Sequence, residues 1–183
     1  MELRELLLSR RTIHHYEPDP IAEGAIERAL EAAIRAPNHK LTNPWRFTRV
    51  GPRIRSQLVD LGVELKGRKK ELTPKYEAKL REKYGNPAEL VVVSQIVDDD
   101  PFRRREDYAA TACAIENFCL SLWSEGVGSK WSTGSMTRDE RTYEMLRIDA
   151  DAEEIVGFVW AGIPKEIPDT PRRPVDEVLR TTQ

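Results

Sequence analysis

Residues 105–125, which read REDYAATACAIENFCLSLWSE, predict the longest helix of the chain. Apolar side chains cover most of its circumference, and Gly126 follows as a typical helix stop. A helix that is apolar nearly all round packs in the centre of a protein or in a subunit interface. We therefore expect the rest of the fold, or a second chain, to pack around this helix.

Strands are predicted on both sides of this helix in the sequence. Residues 45–50 alternate apolar and polar side chains, and residues 90–97 form a short apolar run with three consecutive valines. Residues 128–133 and 154–163 also have extended character. Helices and strands mix without regular alternation, which favours an α+β fold over a doubly wound sheet.

Shorter helices are predicted from their terminal residues. N-caps, prolines and capping boxes mark where a helix starts or stops. The predicted boundaries are an end near Ser9, a start at Asp19-Pro20 with an end before Pro37, and a start at the capping box of Thr137 and Glu140 with an end near Ile148.

Two segments differ in composition from the rest. Residues 63–88 hold eight basic and four acidic side chains, a local charge of 8 − 4 = +4. We expect them to form a charged, solvated helical excursion outside the core. Residues 164–183 are rich in proline and arginine and carry one apolar cluster. This tail is expected to lie across another surface, such as that of a partner subunit.

Composition excludes several classes of protein. The 183 residues include 29 Lys+Arg and 31 Asp+Glu, so the net charge is 29 − 31 = −2. The length fits one domain over residues 1–183, and balanced charge gives no field that would hold nucleic acid or an anionic membrane. No apolar run approaches the roughly 20 residues that cross a bilayer, and the first residues do not resemble a signal peptide. We expect a cytoplasmic protein without nucleic-acid or membrane partners.

Metal and disulfide chemistry are not expected. Cys113 and Cys119 lie six positions apart in the long helix, on different faces, and are predicted to be reduced packing residues. His14 and His15 point to opposite sides of an extended chain, and His39 is the one other histidine. A Gly-Val-Gly motif follows a helix instead of a strand, so it does not predict a Rossmann site.

Two pairs of arginines could bind an anion. Arg10 and Arg11, followed by Thr12, provide guanidinium groups and a hydroxyl that suit a phosphate. Arg172 and Arg173 form a second pair near the end of the chain. The alternatives are that the first pair only complements the dipole of a helix end and that the second belongs to a solvated tail.

Two loops could bind a planar ligand. Arg35, His39 and Asn43 lie between a predicted helix and strand, where binding groups often concentrate. The segment Trp131-Ser132-Thr133-Gly134 can offer backbone N–H groups and an aromatic wall. The alternatives are an ordinary polar loop before a packed Trp45, and a core tryptophan followed by an ordinary turn.

Taken in order, five segments resemble the nitroreductase family of FMN-dependent oxidoreductases. They are Arg10-Arg11-Thr12; Ala36-Pro37-Asn38-His39 with Asn43-Pro44-Trp45-Arg46-Phe47; Gly126-Val127-Gly128 with Trp131-Ser132-Thr133-Gly134; Ile155-Val156-Gly157-Phe158 with Gly162 and Pro164; and Arg172-Arg173-Pro174-Val175-Asp176-Glu177-Val178. The resemblance spans nearly the whole chain. Thr12 stands where the family usually has serine, and Asn43 where it usually has glutamine.

This resemblance implies a fold and a set of site residues. The fold is a nitroreductase-like α+β fold, with a central, mostly antiparallel sheet flanked by helices and an intertwined homodimer whose interface holds two FMN sites. The implied cofactor-binding residues are Arg10, Arg11 and Thr12 for the phosphate, ribityl chain and pyrimidine edge; Arg35, His39 and Asn43 of the other subunit for the polar rim; Trp131, Ser132 and Thr133 for the ring; Gly134 N–H for the flavin N5; and Arg172 or Arg173 for the phosphate.

The resemblance also implies an activity. NADH or NADPH would reduce FMN, and a nitroaromatic, quinone or similar acceptor would then reoxidise it on the same face. No side chain is required as acid or base, and positive charge near the pyrimidine would stabilise reduced flavin. The alternatives are an enone or dehalogenating reductase, an oxygen-using flavin enzyme, a flavin-storage protein with little turnover, and a nucleic-acid-binding module based on residues 66–83.

Overall fold

The centre of the molecule is a four-stranded antiparallel sheet. The computed structural model describes residues 2–182. In chain order the strands are β1 Trp45–Arg49, β2 Glu89–Ile96, β3 Gly128–Ser132 and β4 Glu153–Gly162. Their spatial order is β1-β2-β4-β3, so β1 and β3 are the two edges. The α+β fold class and the four strands are confirmed, with boundaries within about two residues of the expected ones.

Within residues 2–182, six α-helices surround this sheet. They are α1 Leu3–Ser9, α2 Ala25–Ala33, α3 Pro52–Gly67, α4 Pro74–Gly85, α5 Pro101–Ser124 and α6 Glu140–Leu146. Short 3₁₀ turns cover His39–Leu41, Ser135–Arg138 and Val175–Glu177. None of the helices described here is long and apolar enough to span a membrane.

Helices α2 and α5 pack on one face of the sheet. Phe118 and Leu122 of α5 belong to the same buried cluster as Val91 and Val93 of β2. The prediction that this helix is a central packing element is therefore confirmed. It begins earlier than expected, because Asp100 accepts a hydrogen bond from the backbone N–H of Phe102 and caps the helix.

Helices α3 and α4 cover the opposite face. Leu90 and Val92 alternate with the valines of the first face, as the two-residue period of a strand requires. Leu80 and Tyr84 of α4 pack in this second cluster. Residues 63–88 contain the end of α3 and the whole of α4, in line with the helical prediction, but the expectation that they lie outside the core is wrong. Their charges occupy the solvated sides of two amphipathic helices, so the local net charge concealed the buried sides.

Two predicted helix starts are also wrong. The second helix begins at Ala25 instead of near Asp19-Pro20, because Gly24 adopts a left-handed conformation, with φ of 74°, immediately before it. The N-cap of α6 is Asp139, which accepts a hydrogen bond from the N–H of Arg141. The hydroxyl of Thr137 instead donates to the carbonyl of Gly134 within the preceding 3₁₀ turn.

The cysteines and the tail complete the fold. Cys119 is buried, and burial raises the pKa of its thiol to about 11. Cys113 is a free thiol that is exposed on this chain, so the prediction of a packing role holds for Cys119 alone.

After Pro164 the tail has little regular structure, and its apolar side chains stay exposed: Val175 at 72%, Val178 at 71% and Leu179 at 64%.

Candidate functional site

The segment Arg10–Thr12 lies where α1 ends and the chain reaches the sheet. Thr12 forms a parallel bridge with Ser129 of the edge strand β3. The N–H of Ile13 donates to the carbonyl of Ser129 over 3.0 Å. The predicted phosphate-binding residues therefore lie beside the start of β3.

The two arginines of this segment have different partners. The Nε of Arg10 donates to Glu116 on α5 over 3.1 Å. The Nη1 of Arg11 donates to the carbonyls of Leu8 and Arg10, at 2.7 and 3.0 Å, and so closes the end of α1. The sequence left open that this pair only stabilises a helix end, and Arg11 does make such contacts. Its Nε and Nη2 have no partner within residues 2–182, so Arg11 can still bind an anion.

The predicted ring-binding segment continues from the other end of β3. Trp131 covers Gly157 so closely that a Cβ there would lie 2.1 Å from the indole Nε1. This Nε1 is buried and has no hydrogen-bond partner among the described residues. Ser132 accepts a hydrogen bond from Trp160 Nε1 over 3.0 Å. Gly134 lies just beyond, exposed, and its N–H makes no hydrogen bond within residues 2–182.

A small cavity lies beside this segment. It has a volume of about 130 Å³, and residues 132–137 form one of its walls. Lys66 of α3, Lys83 of α4 and Lys130 of β3 line the cavity, and we call them the lysine cluster. None of the three has a carboxylate within 4.0 Å in the described part of the chain. The cavity is therefore a positively charged site to which residues 2–182 supply no countercharge.

Burial makes the charge of Lys130 costly. It lowers the pKa of Lys130 to about 8, and the ammonium groups of Lys83 and Lys66 add to the effect. The pKa of His14 is also lowered, by burial and by the charges of Lys130 and Lys83. Sequence reasoning missed the lysine cluster. Lys130 could have been found, because it lies two residues before Ser132 on the same side of a predicted strand.

The second predicted group lies at the opposite edge of the sheet. Arg35 follows α2, His39 is in a 3₁₀ turn and Asn43 precedes the edge strand β1. Three strand spacings, about 14 Å, separate β1 from β3. One chain therefore does not bring this group together with Arg10–Thr12 and residues 131–134.

His39 and Asn43 of the second group have local partners, whereas Arg35 has no ion-pair partner among the described residues. His39 Nδ1 lies 3.1 Å from Glu106 of α5. Asn43 Nδ2 donates to the carbonyl of Leu41. Arg35 is exposed and has no ion-pair partner within residues 2–182.

Among the described residues, the tail arginines make no hydrogen bond or ion pair with either group. Arg172 and Arg173 are both exposed, and Arg173 Nε lies 4.0 Å from Glu177 of the tail itself. Within one chain these arginines therefore belong to a solvated tail, which is the alternative that the sequence left open. In the described residues there is also no group of three or more His, Cys, Asp or Glu side chains placed to hold a metal ion.

A family model and a curated relative both relate this chain to nitroreductases. The family model described as "Nitroreductase family" matches residues 7–163. The chain is 30% identical over 174 residues to "Putative NAD(P)H nitroreductase YfhC" of Bacillus subtilis (strain 168), which covers 93% of this chain and 89% of that protein.

Solved structures share the fold. A nitroreductase-like family protein from Bacillus cereus superposes with a TM-score of 0.85 at 24% identity, over 100% of this chain and 97% of that one. A variant of the FMN- and NADPH-dependent nitroreductase NfnB from Sphigopyxis sp. strain HMH superposes with a TM-score of 0.80 at 18% identity, over 100% of both chains. At these identities the structures establish the fold.

Proposed function

The chain belongs to the nitroreductase family, and from this premise we propose that it is an oxidoreductase that binds FMN and passes electrons from NADH or NADPH to a nitroaromatic, a quinone or a similar small acceptor. The observation that carries the proposal is the end of β3. There the exposed backbone N–H of Gly134, which makes no hydrogen bond within residues 2–182, lies beside the positively charged lysine cluster. These groups suit a flat ligand with polar edges and negative charge.

FMN fits these residues. Its isoalloxazine ring is flat and has acceptor atoms along one edge, and the exposed Gly134 N–H is a donor without a partner within residues 2–182. Ser132 and Thr133 complete this side of the proposed ring site. At the other end of the molecule FMN carries a phosphate, and the Nε and Nη2 groups of Arg11, beside Thr12, have no partner in the described part of the chain.

We propose that the remaining ligands come from a second chain. Arg35, His39 and Asn43 lie at the far edge of the sheet and would contact the flavin of the partner subunit. The tail, with Arg172 and Arg173, would cross the partner surface and complete the phosphate site. This proposal also accounts for exposed apolar side chains on α1, where Leu3 is 69% and Leu8 is 63% exposed.

When bound, FMN supplies the redox centre that accepts and donates hydride. The chain's own residues would bind and orient it. Gly134 N–H would hold the ring edge in place, and the lysine cluster would stabilise the negative charge that develops on reduction. Donor and acceptor would use the same open face in turn, and no side chain would act as acid or base.

The visible spectrum of the purified protein tests the proposal. Without air, we expect flavin absorption bands that bleach on addition of NADH or NADPH and return when a quinone is added. Steady consumption of the nicotinamide nucleotide with any acceptor separates an enzyme from a flavin-storage protein. A protein that is colourless and takes up no added FMN would show that the fold is shared and the cofactor is not.

A further inference from the structure

The loop between α2 and β1 has an unusual backbone. Lys40, Leu41 and Asn43 have φ values of 56°, 53° and 47°. Non-glycine residues rarely adopt this left-handed region, and in residues 2–182 the one other case is Arg147. Side chains at His39 and Asn43 are aimed by this conformation, so whatever stabilises the loop also positions them.

A chain of hydrogen bonds connects the loop to a buried carboxylate on α5. Asp107 is 4% exposed, and its Oδ1 accepts a hydrogen bond from the hydroxyl of Thr42 over 2.5 Å. The hydroxyl oxygen of Thr42 in turn accepts from Asn38 Nδ2 over 3.0 Å. Asn38 Oδ1 then accepts from the backbone N–H of Asn43 over 2.7 Å.

The carboxylate fixes the direction of every bond in this chain. An ionised carboxylate can only accept, so the Thr42 hydroxyl must donate to it and its oxygen is left to accept from Asn38. Asn38 must then present its NH₂ group to Thr42 and its carbonyl oxygen to Asn43. Asp107 thereby sets the orientation of the Asn38 side-chain amide, two hydrogen bonds away.

We propose that Asp107, acting through Thr42, is a positioning residue for the cofactor site, because it holds residues 38–43 in the conformation that presents His39 and Asn43 to FMN. The inference rests on the proposed function, in which these two residues contact the flavin of the partner subunit. Asp107 and Thr42 themselves need not touch the cofactor.

Removal of the Thr42 hydroxyl tests the inference without opening the core. In Thr42→Val the side chain keeps its shape and loses both bonds, whereas Thr42→Ser keeps the hydroxyl. We expect Thr42→Val to raise the dissociation constant for FMN at least about 10-fold, measured by quenching of FMN fluorescence with protein stripped of cofactor. Thr42→Ser should restore binding to within about 2-fold of the unaltered chain.

A matched control lies one turn further along α5. Thr111 is fully buried, and its hydroxyl has no hydrogen-bond partner in the described residues. Thr111→Val makes the same exchange of threonine for valine on the helix that carries Asp107, and it should leave FMN affinity unchanged. Asp107→Ala, as a second variant, should weaken FMN binding as Thr42→Val does. The double variant should bind FMN no more weakly than either single variant, because both changes break the same chain of hydrogen bonds.

The outcomes separate the inference from the proposed function. If the unaltered chain binds no FMN, the proposed function fails. If it binds FMN and Thr42→Val binds equally well, the positioning role is overturned and the function stands. Equal loss of affinity in Thr42→Val and Thr42→Ser, or a loss in Thr111→Val, would also overturn it. Thermal unfolding of each variant without FMN shows whether the loss tracks global stability, which would contradict a positioning role.

Discussion

Lys130 is a residue whose burial and charge oppose each other. It lines the cavity together with Tyr84 and Phe158, and the charges of Lys83 and Lys66 act on its ammonium group, which has no carboxylate within 4.0 Å among residues 2–182. A buried charge of this kind favours any bound anion that can neutralise it. The position of Lys130 two residues before Ser132 places that effect beside the proposed ring site.

We expect Lys130→Met to make bound FMN harder to reduce. Loss of one nearby positive charge should lower the two-electron midpoint potential by on the order of 30 mV, which corresponds to about 1.4 kcal/mol. Spectroelectrochemistry of the bound flavin measures the change. Lys75→Met, an exposed change of the same charge in the first turn of α4, is the control and should leave the potential unaltered.

The lowered pKa of Lys130 also makes stability depend on pH. In the folded protein without cofactor the side chain loses its proton near pH 8, whereas in the unfolded chain it keeps it to about 10.5. Between these values the unfolded state binds more protons, so this residue makes the protein more stable as pH rises. Urea unfolding at about pH 7 and 9 should show this gain in the unaltered chain relative to Lys130→Met. Parallel pH profiles for the two proteins would contradict the assignment.

Gly157 is required by the position of Trp131. A Cβ at this residue would lie 2.1 Å from the indole Nε1 and 2.6 Å from Cδ1, so Gly157→Ala must displace the ring. We expect a loss of about 1–3 kcal/mol in the free energy of unfolding, together with weaker FMN binding. Gly85→Ala, where a Cβ would meet nothing within 4 Å, should cost no stability by the same urea measurement.

At the scale of elements, the strands were predictable and several helix ends were not. Strand patterns come from burial on one or both faces, and the sequence of β2 and β4 records that burial directly. The start of α2 depends on a left-handed Gly24 that competes with a good N-cap at Asp19. The start of α6 is similar, because a 3₁₀ turn uses the Thr137 hydroxyl that a capping box would need.

The candidate site was predictable only in part, because some of its residues come together only through contacts between distant parts of the sequence. Residues 10–12 and 131–134 are each contiguous in sequence, and their pattern suffices to identify them as candidates. The lysine cluster is drawn from α3, α4 and β3, and the hydrogen bond between Thr42 and Asp107 joins residues 65 positions apart. Such contacts exist only after the helices have packed on the sheet.

The helices α3 and α4 should behave as part of the core. Leu80 is 4% exposed in the second buried cluster, so Leu80→Ala should lower the free energy of unfolding by about 2–4 kcal/mol. The neighbouring Lys79 is exposed on the same helix, and Lys79→Ala should change it by no more than about 0.5 kcal/mol. Chemical denaturation compares the two. Equal, small effects would mean that α3 and α4 are dispensable for the core.

At the scale of the whole molecule, we expect a dimer. Apolar side chains on α1 and on the tail are left exposed by residues 2–182, and the two groups of proposed ligands lie at opposite sheet edges. Sedimentation should therefore give a species of twice the 21.0 kDa chain mass. Val178→Asp together with Leu179→Asp should shift it towards the monomer and reduce FMN binding in parallel. Full FMN binding by a monomer would contradict the shared site.

The placement of β1 and β3 at opposite edges has a genetic consequence. If each site takes one half from each chain, Arg11→Ala and Thr42→Val damage different halves of it. A dimer of one chain of each kind then contains one site with both defects and one with neither. Random pairing of equal amounts makes about half of all dimers mixed, so about a quarter of all sites are restored. Two alleles that each weaken FMN binding would thus complement each other in part when both are expressed in one cell.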